Sequence, residues 1–284
     1  MRRSIGLLVV VLAAGCGGAA PPSSSSSSAG PAPLRNQVPG HAWTPAMAVT
    51  PDQVVGWLGL ATAETRADGL PWWVPVDAHP VVIPSGASPT PAPTPGAAVR
   101  VLPARGDAVT GRAGDATSIR YGCDGGFPVD VVPVEGVARV APGAAWVVPA
   151  ELPAGWQPTA LAIADEPGAT AARRAWTIGP LVVEATRADA THATFEIRGG
   201  DRRIGSIPGE TYEMEGADEA AIDLTGVDPG VPQPVAAYQV APDGPIVLIM
   251  LTTGYEGWGA DAYLVGDGLA PLPSLGVGLY YCAF

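Results

Sequence analysis

The stretch Ile246-Val247-Leu248-Ile249-Met250-Leu251 places six apolar residues in succession. A helix that crosses a bilayer needs about 20 such residues, so this run is too short to span a membrane. A strand with one solvated face would alternate apolar and polar residues, whereas a continuous run is typical of a strand covered on both faces. The run therefore predicts a central strand that lies between two packed layers.

Many short strand-like runs surround this segment, and turn residues separate nearly all of them. Phe195 and Ile197 alternate with polar neighbours, and Gly199-Gly200 predicts a hairpin turn into 202–207. The pattern predicts a mostly β fold, an antiparallel β-sandwich or a barrel-like body over residues 97–284. Two β subdomains, 97–164 and 176–284, are the alternative to a single domain.

The chain before residue 97 has a different composition. Residues 41–83 hold four of the eight Trp residues and are too few to be stable alone, so we expect this Trp-rich segment to pack on the main body. Residues 84–96 form a Pro-rich linker. Thr50-Pro51-Asp52-Gln53 has the residue pattern of a helix start, and a strand over 54–60 is the alternative.

The first sixteen residues have a composition of their own. Met1-Arg2-Arg3 is basic, Ile5 to Ala14 is apolar, and Leu12-Ala13-Ala14-Gly15-Cys16 places small residues before a cysteine. This resembles the signal peptide and lipobox of bacterial lipoproteins. The resemblance implies a signal peptide over 1–15, a lipid on Cys16, and an extracytoplasmic protein anchored to a bacterial membrane, the outer membrane in a diderm host. Residues 16–40, rich in Ser and Pro, then predict a flexible tether.

Composition excludes several functions. The 15 basic residues are all Arg, so a phosphate-binding loop that ends in Lys and Schiff-base chemistry are both impossible. The net charge of −12 repels phosphate backbones, which makes nucleic acid an unsuitable partner. A hydrophobic content of 47% supports a real core.

Two cysteines remain after Cys16. In an oxidising compartment outside the cytoplasm, an even pair predicts a disulfide between Cys123 and Cys282, with two buried thiols as the alternative. The three histidines, His41, His79 and His192, are not at metal-ligand spacing, and we expect no metal centre.

Two stretches could carry binding chemistry. Glu213, Glu215 and Asp218 lie in an acidic segment that we interpret as a solvated loop, with a weak calcium site as the alternative. Tyr255, Glu256 and Trp258 follow the central strand, and aromatic residues beside a carboxylate can hold a sugar by stacking and hydrogen bonds. The competing interpretation is that Trp258 covers the end of the core.

These features predict a non-enzymatic binding or envelope-structural module. It needs no cofactor, and its partners are the membrane, through the N-terminal lipid, and a glycan or an envelope protein. A hydrolase that acts on envelope polymers with carboxylates is the alternative, because the separation of two carboxylates depends on the fold.

Overall fold

Strands make up nearly all of the regular structure. The structure is a computed structural model and describes residues 43–62, 79–85, 90–121, 127–211, 221–226, 230–254 and 257–280. The chain divides into two units, Met1–Gln37 and Val38–Phe284, and every described residue belongs to the second. Within the described residues the helical elements are two short 3₁₀ turns, Pro51–Gln53 and Pro273–Leu275. The predicted mostly β fold class is confirmed.

The strands of the described residues follow in chain order. They are β1 (Trp57–Ala61), β2 (Val81–Pro84), β3 (Ala98–Pro103), β4 (Val109–Ala113), β5 (Thr117–Tyr121), β6 (Phe127–Glu135), β7 (Gly143–Pro149), β8 (Thr159–Ala160), β9 (Ile163–Asp165), β10 (Arg173–Ile178), β11 (Leu181–Arg187), β12 (His192–Gly199), β13 (Arg202–Glu210), β14 (Gln233–Gln239), β15 (Ile246–Thr253), β16 (Gly257–Val265), β17 (Leu269–Pro271) and β18 (Val277–Tyr280).

Six strands close into an antiparallel barrel. Their order is β2-β1-β7-β3-β4-β6, and the pairing of β2 with β6 completes the ring, while β5 pairs with β6 outside it. Successive side chains of a strand point to opposite faces, so every second residue points into the lumen. A six-stranded barrel has a narrow interior, and small aliphatic side chains fill it: Ala61, Val81, Ile83, Val99, Val101, Ala113, Val132, Val134, Ala145 and Val147.

Two further sheets form a sandwich beside the barrel. The central sheet has the order β17-β16-β15-β14-β8, with β18 also paired to β16, and the outer sheet has the order β13-β12-β11-β10-β9. One face of the central sheet packs on the outside of the barrel, and its other face packs on the outer sheet. The described residues of the second unit are therefore arranged in three layers: barrel, central sheet and outer sheet.

Strand β15 is buried on both of its faces, as its continuous apolar sequence predicts. Val247 and Ile249 point towards the barrel, whereas Leu248 and Met250 point towards the outer sheet. The exposed fraction of residues 246–250 is 1% or less. The burial of this strand joins two separate hydrophobic clusters through one backbone.

A pair of aromatic residues fastens the barrel to the central sheet. The ring centroids of Trp146 on β7 and Tyr238 on β14 lie 5.7 Å apart at an interplanar angle of 51°. The Tyr238 hydroxyl donates to the carbonyl oxygen of Ala144 at 3.3 Å, and Trp146 Nε1 donates to the carbonyl oxygen of Val55 at 3.1 Å. Burial raises the pKa of Tyr238, so the phenol stays a hydrogen-bond donor at any physiological pH.

Part of the Trp-rich segment 41–83 lies in the barrel wall, as the described residues of this segment show. It supplies β1, which lies between β2 and β7, and it supplies most of β2. The Pro-rich stretch 84–96 connects β2 to β3 within the same barrel, and Trp57 Nε1 donates to the carbonyl oxygen of Pro91 at 2.8 Å. The boundary between the alternative subdomains 97–164 and 176–284 falls at β9 and β10, which are neighbouring strands of the outer sheet. The last strand of the barrel, β7, ends earlier, at Pro149.

The helix-start pattern at Thr50 produces a single 3₁₀ turn. The Thr50 backbone N–H donates to Gln53 Oε1 at 2.9 Å, which is one half of a capping box. Gly56 then has a φ of +118°, outside the helical range, and the chain continues as β1. Pairing of β1 with two barrel strands therefore outweighs the local helical signal, and the strand alternative over 54–60 is the better description.

Candidate functional site

An open cleft of about 350 Å³ lies at one edge of the sandwich. Its lining includes the end of β13, the edge strand of the outer sheet, and part of β16 of the central sheet. Its walls come from the end of β13 and the residue after it, from the chain before β14, and from β15 and β16: Ile207, Pro208, Gly209, Glu210, Thr211, Gly230, Pro232, Thr252, Asp261 and Tyr263.

A glycine near the end of β13 allows this strand to pack closely on its neighbours beside the cleft. Ile207 points into the core and is 4% exposed, but the next inward position is Gly209. A Cβ there would come within 2.8 Å of Pro232 Cδ and 3.0 Å of Phe195 Cε2. The backbone of β13 therefore lies close to its neighbours at Gly209, and the polar groups of Glu210 and Thr211 follow at the mouth.

Asp261 and Tyr263 share one face of β16. Residues two apart on a strand point the same way, and this face points towards the outer sheet, where Tyr263 packs against the core. The cleft walls desolvate the carboxyl group of Asp261, which raises its pKa although the side chain remains accessible. The pKa of Tyr263 is also raised, first by burial and then by the negative charge of Asp261.

The lining chemistry combines hydrogen-bonding and apolar surfaces. Glu210 and Asp261 offer carboxyl oxygens, Thr211 and Thr252 offer hydroxyls, and Tyr263 offers a half-buried ring and a phenol. Among the described residues that line the cleft, none is basic. The cleft is therefore suited to a ligand that donates hydrogen bonds and carries no negative charge.

A histidine lies next to the mouth of the cleft. His192 begins β12 and pairs in register with Glu210 of β13, and its Nε2 lies 3.9 Å from Glu210 Oε1. On its other side, His192 Nδ1 lies 2.9 Å from Asp189 Oδ1. The sequence pattern predicts His192 on the polar face of this strand, and the residue is indeed exposed.

Asp189 organises the turn that precedes β12. Its Oδ1 accepts hydrogen bonds from the backbone N–H groups of Thr191 at 2.9 Å and His192 at 2.8 Å. The hydrogen bond to the His192 ring, followed by that to Thr191, lowers the pKa of Asp189 to about 2. The same contact with Asp189 raises the pKa of His192 above 6.5.

Trp258 is buried, whereas one interpretation of the sequence makes it an exposed contact residue. Its side chain is 3% exposed and belongs to the cluster between the central sheet and the barrel. The reason is the alternation of β16: Trp258, Ala260, Ala262 and Leu264 point to the barrel, on the face opposite the cleft. Trp258 thus covers the core, which is the competing interpretation of this residue.

The other predicted site residues lie outside the described residues. These are Cys16 of the lipobox, Cys123 and Cys282 of the expected disulfide, Tyr255 and Glu256 of the aromatic segment, and Glu213, Glu215 and Asp218 of the acidic segment. The acidic segment directly follows Thr211, and 255–256 lie between β15 and β16.

Sequence reasoning missed Asp261, Tyr263 and Thr252. The strand that the sequence predicts here covers residues 262–265, which leaves Asp261 outside it. The alternation Trp258-Gly-Ala-Asp-Ala-Tyr-Leu264 is the signal that could have found them, because it extends the strand and places Asp261 and Tyr263 on one face.

Two features are absent from the described residues. No group of three His, Cys, Asp or Glu side chains there is arranged to hold a metal ion. The same part of the chain has no helix long and apolar enough to cross a membrane. Comparison of the chain with protein-family models, with curated proteins and with solved structures gave no match.

Proposed function

We propose that the protein is an exported, lipid-anchored binding module of the bacterial cell envelope, and that the sandwich cleft holds a glycan. The observation that carries the proposal is the lining of the cleft. Carboxyl oxygens of Glu210 and Asp261 accept hydrogen bonds from sugar hydroxyls, and the half-buried ring of Tyr263 offers a flat apolar surface. An anionic polymer is disfavoured by the same carboxylates.

The envelope location is proposed from residues 1–16. Their resemblance to a lipobox supports a lipid on Cys16, and a protein outside the cytoplasm supports the proposed Cys123–Cys282 disulfide. Cys16→Ser should move the protein from the membrane fraction to the soluble fraction or leave it uncleaved. An unchanged mass and unchanged partition would contradict the anchor.

Binding is tested with the purified full chain and a panel of neutral oligosaccharides and peptidoglycan disaccharide peptides, by titration calorimetry. Loss of an aromatic anchor costs over 1 kcal/mol, so Tyr263→Ala should weaken binding by about 10-fold. Asp261→Asn should weaken it as well. Asp201→Asn is the matched control, because Asp201 lies in the β12–β13 turn at the other end of the outer sheet from Glu210. Equal affinity of all variants would exclude this cleft.

One observation favours a hydrolase as the second candidate. Asp261, whose pKa is raised, and Glu210, which is exposed, lie in the same cleft. Glycosidases use such a pair, one carboxyl group as acid and the other as base or nucleophile. Turnover of any panel member that is lost in both Asp261→Asn and Glu210→Gln would replace the binding module with an enzyme.

A further inference from the structure

His192 and Glu210 face each other across two hydrogen-bonded strands. The two residues are register partners of β12 and β13, and their nearest side-chain atoms, Nε2 and Oε1, are 3.9 Å apart. Glu210 also lines the cleft. A single carboxylate can therefore turn either to the histidine or to a ligand in the cleft, since its side chain is 71% exposed and free to change rotamer.

The His192 ring is held in place from its other side. Asp189 Oδ1 lies 2.9 Å and Thr191 Oγ1 lies 3.0 Å from Nδ1. The Asp189 contact leaves Nε2 as the atom that faces Glu210. The imidazole therefore does not have to move in order to pair with Glu210.

Among the described residues, the two charged groups that face this imidazole are both acidic. Asp189 comes from the turn between β11 and β12, and Glu210 comes from β13. Arg187, at the end of β11, donates instead to the carbonyl oxygen of Ile222 at 2.9 Å. A proton on His192 is thus stabilised from two sides, and its loss leaves Glu210 without this positive neighbour.

We propose that His192 makes ligand binding in the cleft depend on pH. When the imidazole is protonated it pairs with Glu210 and withdraws that carboxylate from the ligand. When it is neutral, Glu210 is released to accept hydrogen bonds from sugar hydroxyls. This inference rests on the proposed function of the cleft and adds a regulatory role for a residue outside its lining.

The direction of the effect follows from the titration. The pKa of His192 lies above 6.5, so the positive charge is complete in acid and disappears as the pH rises past that pKa. Glycan affinity should therefore increase from acid to neutral and mildly alkaline conditions. His192→Gln should remove this dependence and bind at the level that the unmodified protein reaches at high pH.

The first measurement needs no ligand. The imidazole resonances of the full chain are titrated by NMR, with His192→Gln identifying the signal of His192 and the other two histidines of the chain as internal controls. Glu210→Gln should lower the His192 midpoint by a few tenths of a pH unit, and Asp189→Asn should lower it more, because its contact is shorter. A midpoint that is unchanged in Glu210→Gln shows that the pair does not form and overturns the proposal.

The second measurement uses the tightest-binding glycan of the panel at pH 5.5 and pH 8. We expect the affinity of the unmodified protein to rise by about 3- to 10-fold and that of His192→Gln to stay flat. A flat profile in both proteins overturns the proposal even if the glycan binds well. If no glycan binds, the proposed function fails. The coupling of His192 to the cleft is then tested on the backbone amide resonances of Thr211 and Thr252, two residues that line the cleft. They should follow the His192 midpoint, and they should not do so in His192→Gln.

Discussion

The barrel and the sandwich bury their cores in different ways. The barrel closes on itself through the β2–β6 pairing, so its ring has no edge, and its lumen is packed with Val and Ala side chains. The sandwich is open, and the described cleft lies at its edge, where β13 meets β16. Closure removes unpaired backbone groups but leaves no space for a ligand, whereas an open edge leaves room for polar chemistry between two sheets.

The largest expected effect concerns the junction of these two regions. Trp146 is fully buried, contacts Tyr238 and donates to Val55. Trp146→Ala should lower the free energy of unfolding by about 3–5 kcal/mol, as large aromatic truncations in cores do. Trp156→Ala, at a half-buried ring 6.1 Å from Trp146, should cost less. Denaturant unfolding measures both, and a separate transition for the barrel in Trp146→Ala would show that the two regions unfold independently.

The next effect tests how completely the barrel is packed. Gly59 faces the lumen, and a Cβ there would come 2.6 Å from Val147 Cγ2. Gly59→Ala should therefore destabilise the protein by about 1–3 kcal/mol through overpacking.

Gly278 of β18 is the matched control for Gly59, because a Cβ there meets nothing within 4 Å. Gly278→Ala should be neutral or slightly stabilising in the same thermal melt. Equal melting temperatures for the two variants would mean that the lumen can expand, and the contrast between a filled barrel and an open sandwich would weaken.

A smaller loss of stability is expected when a partly buried ion pair of the outer sheet is removed. Arg174 Nη2 lies 2.6 Å from Asp165 Oδ2, its guanidinium carbon lies 5.0 Å from the ring centroid of Trp176, and its side chain is 16% exposed. Asp165→Asn should cost about 1 kcal/mol, since the pair is partly desolvated.

The more exposed pair of Arg173 with Glu184 provides the control. Arg173 is 66% exposed, so Glu184→Gln should cost only a few tenths of a kcal/mol. In high salt, the stability loss of Asp165→Asn should shrink little, whereas the stability loss of Glu184→Gln should vanish. A loss at Asp165 that disappears in salt would place this pair among the surface ion pairs.

The smallest effect is a pH dependence of the turn beside the cleft. The pKa of Asp189 is lowered from 3.8 to about 2, so its ionised form stabilises the folded state. This stabilisation is complete above pH 3.8 and is lost as the pH falls towards 2. Asp189→Asn should flatten the melting temperature over that window relative to the unmodified protein. If the melting temperature of Asp189→Asn depends on pH as steeply as that of the unmodified protein, the ionised Asp189 does not stabilise the folded state.

The sequence predicts strands well where apolar residues either follow one another without interruption or alternate regularly with polar residues. β15 was recognised from six continuous apolar residues, and β12 was recognised from the alternation around Phe195. β10 was missed because Arg173-Arg174 opens it, and only the structure shows that Arg174 is used to close the core. β2 was missed because it adjoins a Pro-rich run.

The candidate site was harder to predict for a physical reason. The cleft joins β13 to β16, two strands about 50 residues apart whose contact depends on how two sheets stack. Nothing local to Glu210 indicates Asp261 as its neighbour. The sequence correctly marked His192 as exposed, but its pairing with Glu210 depends on the register of β12 with β13.

The attachment of Trp43 has a mechanical consequence. The Trp43 side chain packs beside Gly199, the last residue of β12, and the Trp43 carbonyl oxygen accepts a hydrogen bond at 3.2 Å from Arg202 Nη2, at the start of β13. The cleft lies at the other end of this strand, about 26 Å away at roughly 3.3 Å per residue. If the chain is held by its N-terminal end, we expect tension to reach the described part of the chain at Trp43 and to pass to Arg202 and then to β1. This contact lies at the end of β13 opposite the cleft, so we expect tension on the N-terminal end to leave the cleft unchanged.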